Sequence, residues 1–323
     1  MRPSVGRIAA VLAMVALGSA LACKPAQDEL SSGRLASGSS EAAPGPRSTS
    51  SGPPSVPAAP AAAVELPGAN LITYVASDFA FDGPPSVPAG LTTFRFQNQG
   101  KELHHLVVFK LQGGKSAEDF IKAMHAGGSE TRPEWAVPEG GPVGIAPGGE
   151  SNSTQVLEPG HYALVCFIPS PDGVPHMAKG MMAPLEVVAG SGASTPEPRA
   201  DLAVKLVDYD FEMAQSLTSG PHVVRVDNAG SEVHELVIWQ LPSGKSLSDV
   251  LAWVDGGLSG PPPGQPVAGV SPMARGGHAY VTMNLPPGEY ALICFVSAKT
   301  DGKPHYAHGM ARQIAVNGGA AGR

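Results

Sequence analysis

The stretch "LTTFRFQNQG" alternates along its length, with Leu91, Thr93 and Arg95 on one side and Thr92, Phe94 and Phe96 on the other. A period of two is that of a half-buried β-strand. "HLVVFKL" and "YALVCF" are apolar, partly β-branched runs of strand length. The last of these is fed by the turn "EPGHY", and a later strand by "PPGEY". One short helix is also expected. Ser116 and Asp119 form a capping-box-like start, and Ala117, Phe120, Ile121 and Met124 share one face behind it. Ser246 and Asp249, with Leu247, Val250, Leu251 and Val254, repeat that arrangement.

The recurrence is general. "SDFAFDGPPSVPAG" matches "VDYDFEMAQSLTSG", and "FRFQNQGKELHHLVVFKL" matches "VRVDNAGSEVHELVIWQL". "GGKSAEDFIKAMHAGG" matches "SGKSLSDVLAWVDGG", and "LEPGHYALVCF" matches "LPPGEYALICF". The blocks keep their order, so the chain is an internal repeat. Each copy predicts an all-β sandwich with one short helix and a Gly/Pro-rich loop, "PEGGPVGIAPGG" in the first. The expected organisation is a first domain over 66–189, a linker over 190–199, a second domain over 200–317 and a tail over 318–323. Gly (40) and Pro (33) are abundant, which agrees with turns and linkers rather than long helices.

The N-terminus reads as a targeting segment. Arg2 and Arg7 precede "IAAVLAMVALGSALA", an apolar run shorter than the roughly 20 residues of a membrane span. "ALAC", ending at Cys23, resembles a bacterial lipobox, in which the Cys is lipidated and becomes residue one. The lipobox pattern prefers Leu three before the Cys, where this chain has Ala20, with Leu21 one later. The expectation is a signal peptide over 1–22 and a membrane anchor through lipid on Cys23; the alternative is a plain secretory signal. Residues 23–65 are rich in Pro, Ala, Ser and Gly and lack apolar periodicity, which predicts a disordered tether. Such a tether has a typical span of roughly 35 Å, long enough to hold a folded head off a membrane. The chain is thus expected in the cell envelope, periplasmic or surface-exposed. Its formal charge of −7 argues against nucleic acid as a partner.

Three cysteines occur in all. An exported protein usually pairs its cysteines. With Cys23 acylated, Cys166 and Cys294 occupy equivalent places in the two copies, and equivalent buried positions meet only across a symmetry axis. A disulfide between them is one reading. Two free thiols in an oxidising compartment need another explanation.

Each copy offers four candidate ligands in the same order. The first has His104, Cys166, His176 and Met181; the second has His234, Cys294, His305 and Met310. Two imidazoles, a thiolate and a weak thioether make up the donor set of a blue-copper electron-transfer centre. Taken singly, each has a plainer reading: a buried small hydrophobe for Cys, core for Met, a hydrogen-bonded structural residue for His. The ordered set found twice is harder to explain that way. "NQGKELHHLVVF" and "NAGSEVHELVIW", "PGHYALVC" and "PGEYALIC", "PHMAKGM" and "PHYAHGM" resemble the segments that carry the ligands in the cupredoxin family, plastocyanin-like type 1 copper proteins. That resemblance covers nearly all of both repeats. It implies two tandem cupredoxin-like Greek-key sandwiches, with copper as cofactor, one per domain. Two departures stand out. Nine residues separate Cys166 from His176 and ten separate Cys294 from His305, where small cupredoxins have only a few. The family often has Asn after the first His, supporting the Cys loop; here His105 and Glu235 stand there.

The other histidines carry less. His125, His161, His222 and His278 have no His counterpart and read as surface. His105 and His308 adjoin ligand candidates and read either as structure or as an exposed edge for electron transfer or copper delivery. The expected function is single-electron transfer through exposed edges of the copper imidazoles, with a redox partner protein. The alternatives are copper storage or delivery, with a copper donor or acceptor as partner, and a metal-free sandwich used for interaction. A two-domain copper oxidase or nitrite reductase would place His directly beside the Cys; the neighbours here are Val165 and Phe167, and Ile293 and Phe295. The sequence therefore predicts a protein that is not an enzyme.

Overall fold

A computed structural model describes residues 66–127, 132–190 and 195–318. The signal peptide, Cys23 and the tether lie outside the described residues, as do part of the linker and the end of the tail.

The first repeat runs β1 (Asn70–Ser77), β2 (Ala80–Asp82), β3 (Ser86–Pro88), β4 (Gly90–Asn98), β5 (Val107–Leu111), α1 (Ala117–Gly127), β6 (Ala136–Pro138), β7 (Glu150–Leu157), β8 (Gly160–Val165) and β9 (Met182–Val188). The second runs β10 (Leu202–Val207), β11 (Asp210–Met213), β12 (Gly220–Asn228), β13 (His234–Leu241), α2 (Leu247–Asp255), β14 (Gln265–Met273), β15 (His278–Leu285), β16 (Gly288–Ile293) and β17 (Ala311–Val316). In both copies the first strand pairs in parallel with the long strand before the first candidate His, β1 with β4 and β10 with β12. Among the described residues the structure is β apart from these short helices and two 3₁₀ turns.

Each repeat is a sandwich. In the first, β7-β4-β1-β2 packs on β3-β9-β8-β5-β6. Tyr74, Phe94 and Phe96 of one layer meet Leu106, Val108, Leu164 and Val187 of the other in one buried cluster. The apolar run of β5 is explained by its two faces. Val108 points into the sandwich, while Val107 and Phe109 pack outward under α1 against Phe120 and Met124. Both helices start as the sequence predicts. Ser116 Oγ accepts from the Asp119 amide at 3.1 Å, and Ser246 with Asp249 forms a reciprocal capping box.

One strand is invisible to hydrophobic patterning. β7, "ESNSTQVL", is polar, yet Ser151, Asn152, Ser153 and Thr154 are buried. It sits in the interior of an eight-stranded sheet shared by both repeats, next to β15. Burial is tolerable because most of its polar groups are paired, Glu150 Oε1 and Gln155 Nε2 being the exceptions. Thr154 Oγ1 shares a hydrogen bond with Thr93 Oγ1 at 2.7 Å, and the Ser151 hydroxyl donates to the Val143 carbonyl at 2.9 Å. The Asn152 amide donates to the Thr282 carbonyl at 2.8 Å and accepts from the Thr282 N–H at 3.0 Å. The Gly140 N–H to Pro272 carbonyl bond, at 3.0 Å, adds a second stitch between the repeats.

Asn152→Ala strands the Thr282 amide groups in a buried seam. We expect a loss of about 1–3 kcal/mol in urea denaturation, with the visible spectrum of copper-loaded protein unchanged. No loss of stability would show that the seam contributes nothing to folding.

Candidate metal centre

Three segments of each repeat build the site. His104 follows the turn after β4 and is tied to Ile145 by paired backbone bonds of 3.3 and 2.9 Å. Asn98 holds that turn: its amide donates to the carbonyls of Glu102 and Ile145, both at 2.8 Å. Asn228 does the same with Glu232 and Met273, both at 2.8 Å. Cys166 and Cys294 stand just beyond β8 and β16. They are free and buried, so no disulfide joins them.

The long Cys-to-His segment closes on itself. Pro169 bridges Pro175, and Ser297 bridges Pro304, so the extra residues form a small external excursion. The His176 N–H then reaches the Ile168 carbonyl at 2.9 Å, and that of His305 reaches Val296 at 2.8 Å. Short 3₁₀ turns, His176–Lys179 and His305–His308, carry the second His. The next residues return to the Cys. The Cys166 N–H donates to the Met181 carbonyl at 3.2 Å and the Met181 N–H to the His176 carbonyl at 3.0 Å; Cys294, Met310 and His305 repeat this at 3.1 and 3.0 Å. Met181 and Met310 are fully buried.

The donor atoms converge. His104 Nδ1 and His176 Nδ1 lie 3.0 Å apart, and Cys166 Sγ is 3.4 Å from His176 Nδ1. The same distances in the second repeat, for His234, His305 and Cys294, are 3.0 and 3.4 Å. All six side chains are fully buried. Among the described residues, these two clusters alone gather three such donors.

The far side of each ring explains the convergence. His104 Nε2 faces Asp78 Oδ1 at 2.8 Å and His176 Nε2 faces Glu102 Oε2 at 2.9 Å. His234 Nε2 faces Asp208 at 2.6 Å, and His305 Nε2 faces Glu232 at 3.4 Å. An ionised carboxylate only accepts, so each Nε2 carries the proton and each Nδ1 presents a lone pair. Partial burial pushes Asp78 up, but the bonds from His104 and from the Lys101 and Glu102 amides outweigh it and hold it below the usual carboxylate range. Asp208 is lowered in the same way, against its own burial, by Ser231 and His234. Burial also lowers His176 and His305, which favours the neutral form of those two rings.

Two inward lone pairs at 3.0 Å repel unless a cation sits between them. A single thiol proton can satisfy only one. Burial pushes the Cys166 thiol up to about 12, and Cys294 upward likewise, so the thiolate form also needs a cation beside it. The donor set therefore fits a metal ion, and imidazole with thiolate fits copper in particular, one ion per repeat.

The residues after the first His brace the Cys loops. His105 N–H lies 3.5 Å from Cys166 Sγ, and His105 Nε2 accepts from the Phe167 amide at 2.8 Å. Glu235 N–H lies 3.5 Å from Cys294 Sγ, and its Oε1 accepts from the Phe295 amide at 2.9 Å. Burial lowers His105 to about 3, so it accepts as a neutral ring, while burial raises Glu235 to about 7. His105 is thus tied into the Cys loop through its Nε2, although its ring is only half-buried. Three of the four unmatched histidines bind local carboxylates, His161 with Glu186, His222 with Asp201 and His278 with Glu197, and His125 is exposed.

The expectation of exposed imidazole edges fails. The side chains of His104, His176, His234 and His305 are each 0% exposed. Their carboxylate partners went unassigned from sequence, although Asp78/Asp208 and Glu102/Glu232 hold equivalent places in the repeated blocks.

No family model matches the chain, and no curated protein matches it. Among solved structures, it resembles a reduced auracyanin from Roseiflexus castenholzii at 25% identity, over 38% of this chain and 99% of that one, with a TM-score of 0.26. Auracyanin A, a blue copper protein from Chloroflexus aurantiacus, aligns at 20% identity over 37% and 99%, with a TM-score of 0.27. A blue copper oxidase from Nitrosomonas europaea aligns at 17% identity over 77% and 85%, with a TM-score of 0.24. The neighbours are cupredoxins and multicopper oxidases, and the His-Cys-His clusters resemble type 1 copper sites. With scores this low each alignment is a likeness and nothing further; the buried donor set carries the copper assignment.

A Cβ added at Gly100 would lie 2.4 Å from Asp78 Oδ1 and 2.6 Å from His104 Nε2, and one at Gly230 would lie 2.5 Å from both Asp208 Oδ1 and His234 Nε2. Gly100→Ala should therefore part the Asp78–His104 pair and lower copper affinity at the first site by roughly 10- to 100-fold. Competition with a copper chelator in a Cys294→Ser background reads this directly, and unchanged affinity would mean that the carboxylate does not orient the ring.

Proposed function

We propose that this protein is an exported, lipid-anchored copper protein that carries single electrons. In this reading the two sandwiches, joined through their shared sheet, are tandem domains over 66–189 and 200–317. His104, Cys166, His176 and Met181 hold one copper, and His234, Cys294, His305 and Met310 hold the other. The observation that carries the reading is the pair of inward Nδ1 lone pairs beside a buried Cys, found twice.

Copper held there would supply a one-electron couple between its cuprous and cupric forms. The chain's own residues do the rest. Asp78, Glu102, Asp208 and Glu232 fix the tautomer and aim of the imidazoles. His105 and Glu235 brace the Cys loops through the Phe167 and Phe295 amides. The fully buried donors exclude water and make ready release of the ion unfavourable, which supports electron transfer over delivery. Neither Cys has His beside it in sequence, which supports a carrier over an oxidase. The partner is then a redox protein of the cell envelope. The anchor in this reading is lipid on Cys23, supported by the lipobox-like "ALAC" that ends there.

The full chain loaded with copper should show intense thiolate-to-copper absorption in the visible. Cys166→Ser and Cys294→Ser should each remove about half of it. A colourless protein binding neither Cu(I) nor Cu(II) would sink the reading, reversible one-electron cycling supports it, and tight Cu(I) binding without cycling would turn it to storage. Oxygen uptake with a phenolic substrate would overturn the carrier assignment. Separately, Cys23 should take up a globomycin-sensitive lipid label in a bacterial host; absence of label would mean a secreted form.

A further inference from the structure

The buried ligand histidines leave the question of where an electron crosses to the surface. In each repeat one aromatic ring from the tip of the first hairpin lies against the second ligand His. Phe79, between β1 and β2, has its ring centroid 4.9 Å from that of His176. Tyr209, between β10 and β11, stands 4.9 Å from His305. Both rings are half-buried, whereas the imidazoles beneath are fully covered. Each aromatic is in turn capped by a polar group that reaches solvent. Lys179 Nζ lies 4.7 Å over Phe79, and the His308 ring stacks on Tyr209 at 4.9 Å and 27°. The Tyr209 hydroxyl also donates to Glu232 at 3.1 Å, the carboxylate that faces His305 Nε2.

We propose that Phe79 and Tyr209 are the ports through which electrons enter and leave the two copper sites. The proposal rests on the electron-carrier reading above. The usual exit through an imidazole edge is closed, because His176 and His305 have no exposed surface and their Nε2 atoms face carboxylates. The residue after each Cys gives a competing route. Phe167, though, is engaged away from the hairpin, edge-on to Phe109 at 5.8 Å and packed into the cluster under α1. The hairpin aromatics combine ring contact with a ligand and access to solvent. They hold the same place and the same 4.9 Å spacing in both copies, although the residue differs. The step is a bare one-electron transfer: an external one-electron reductant such as hexacyanoferrate(II) is oxidised, the copper site is reduced, and no bond or proton changes hands. Phe79 and Tyr209 act by position, between ligand and donor.

The test uses the full copper-loaded chain in a Cys294→Ser background, so that only the first site is read. Phe79→Leu should slow reduction by hexacyanoferrate(II) severalfold in stopped flow, while the visible spectrum and reduction potential stay as in the parent. Phe79→Tyr should restore the rate. In the Cys166→Ser background Tyr209→Leu should slow reduction relative to Tyr209→Phe, which also loses the bond to Glu232 but keeps the ring, and this pair serves if the first variant fails to hold copper. In the Cu(I) form, the ¹⁵N-bound Nε2 proton of His176 should exchange slowly with water, and Phe79→Ala should speed that exchange. An unchanged or faster reduction rate in Phe79→Leu, a slowing confined to Phe167→Leu, or fast Nε2 exchange in the parent would overturn the aromatic route. If neither single-site parent cycles reversibly, the electron-carrier reading fails instead, and that result is separate from any effect of Phe79.

Discussion

The bond between each ligand imidazole and a carboxylate is the constraint on which the rest depends. By accepting a hydrogen bond from each Nε2–H, Asp78, Glu102, Asp208 and Glu232 turn four Nδ1 lone pairs inward, two to each cluster. Without a cation, each cluster is a small buried region of facing lone pairs and a thiol that does not ionise on its own. Such an arrangement costs stability unless something positive fills it. Metal binding and the native fold are therefore linked: the same ion that completes the donor set relieves the strain in the core.

Holding that arrangement takes backbone from several directions. Asn98 and Asn228 stretch the turn after the long strand so that the first His lands beside the second. Gly100 and Gly230 leave space for the carboxylates to approach the rings. The bridges Pro169–Pro175 and Ser297–Pro304 fold the long Cys-to-His segment back, so its length does not disturb the donors. In the turns that follow, the amides of Cys, His and Met are bonded to one another, which keeps these residues in register. The two sites share this scaffold but differ around it: His105 against Glu235 beside the Cys, Phe79 under Lys179 against Tyr209 under His308. Two centres of equal donors in unequal surroundings are a basis for unequal potentials, since hydrogen bonding and charge near the thiolate tune a copper site.

Much of this protein is legible in its sequence. Alternation at Leu91–Phe96, the apolar runs ending at Cys166 and Cys294, and the capped helix starts at Ser116 and Ser246 are local signals, and local signals survive without a fold. The repeat supplied a second reading of each position, which is why His104, Cys166 and His176 stand out beside His234, Cys294 and His305. Chain order and residue type alone marked the six His and Cys residues that the fold gathers, and the sandwich class. The folded structure decided what depends on distant segments meeting. Asp78 lies 26 residues before His104, and Glu102 lies 74 before His176, so no period or spacing links them. The polar strand β7 is buried because β4 and β15 flank it, a fact of topology that its own Ser, Asn and Thr residues argue against. Likewise the burial of the imidazoles comes from the hairpin tip that folds over them. Donor identity is a property of side chains, whereas tautomer, burial and access are properties of what packs around them.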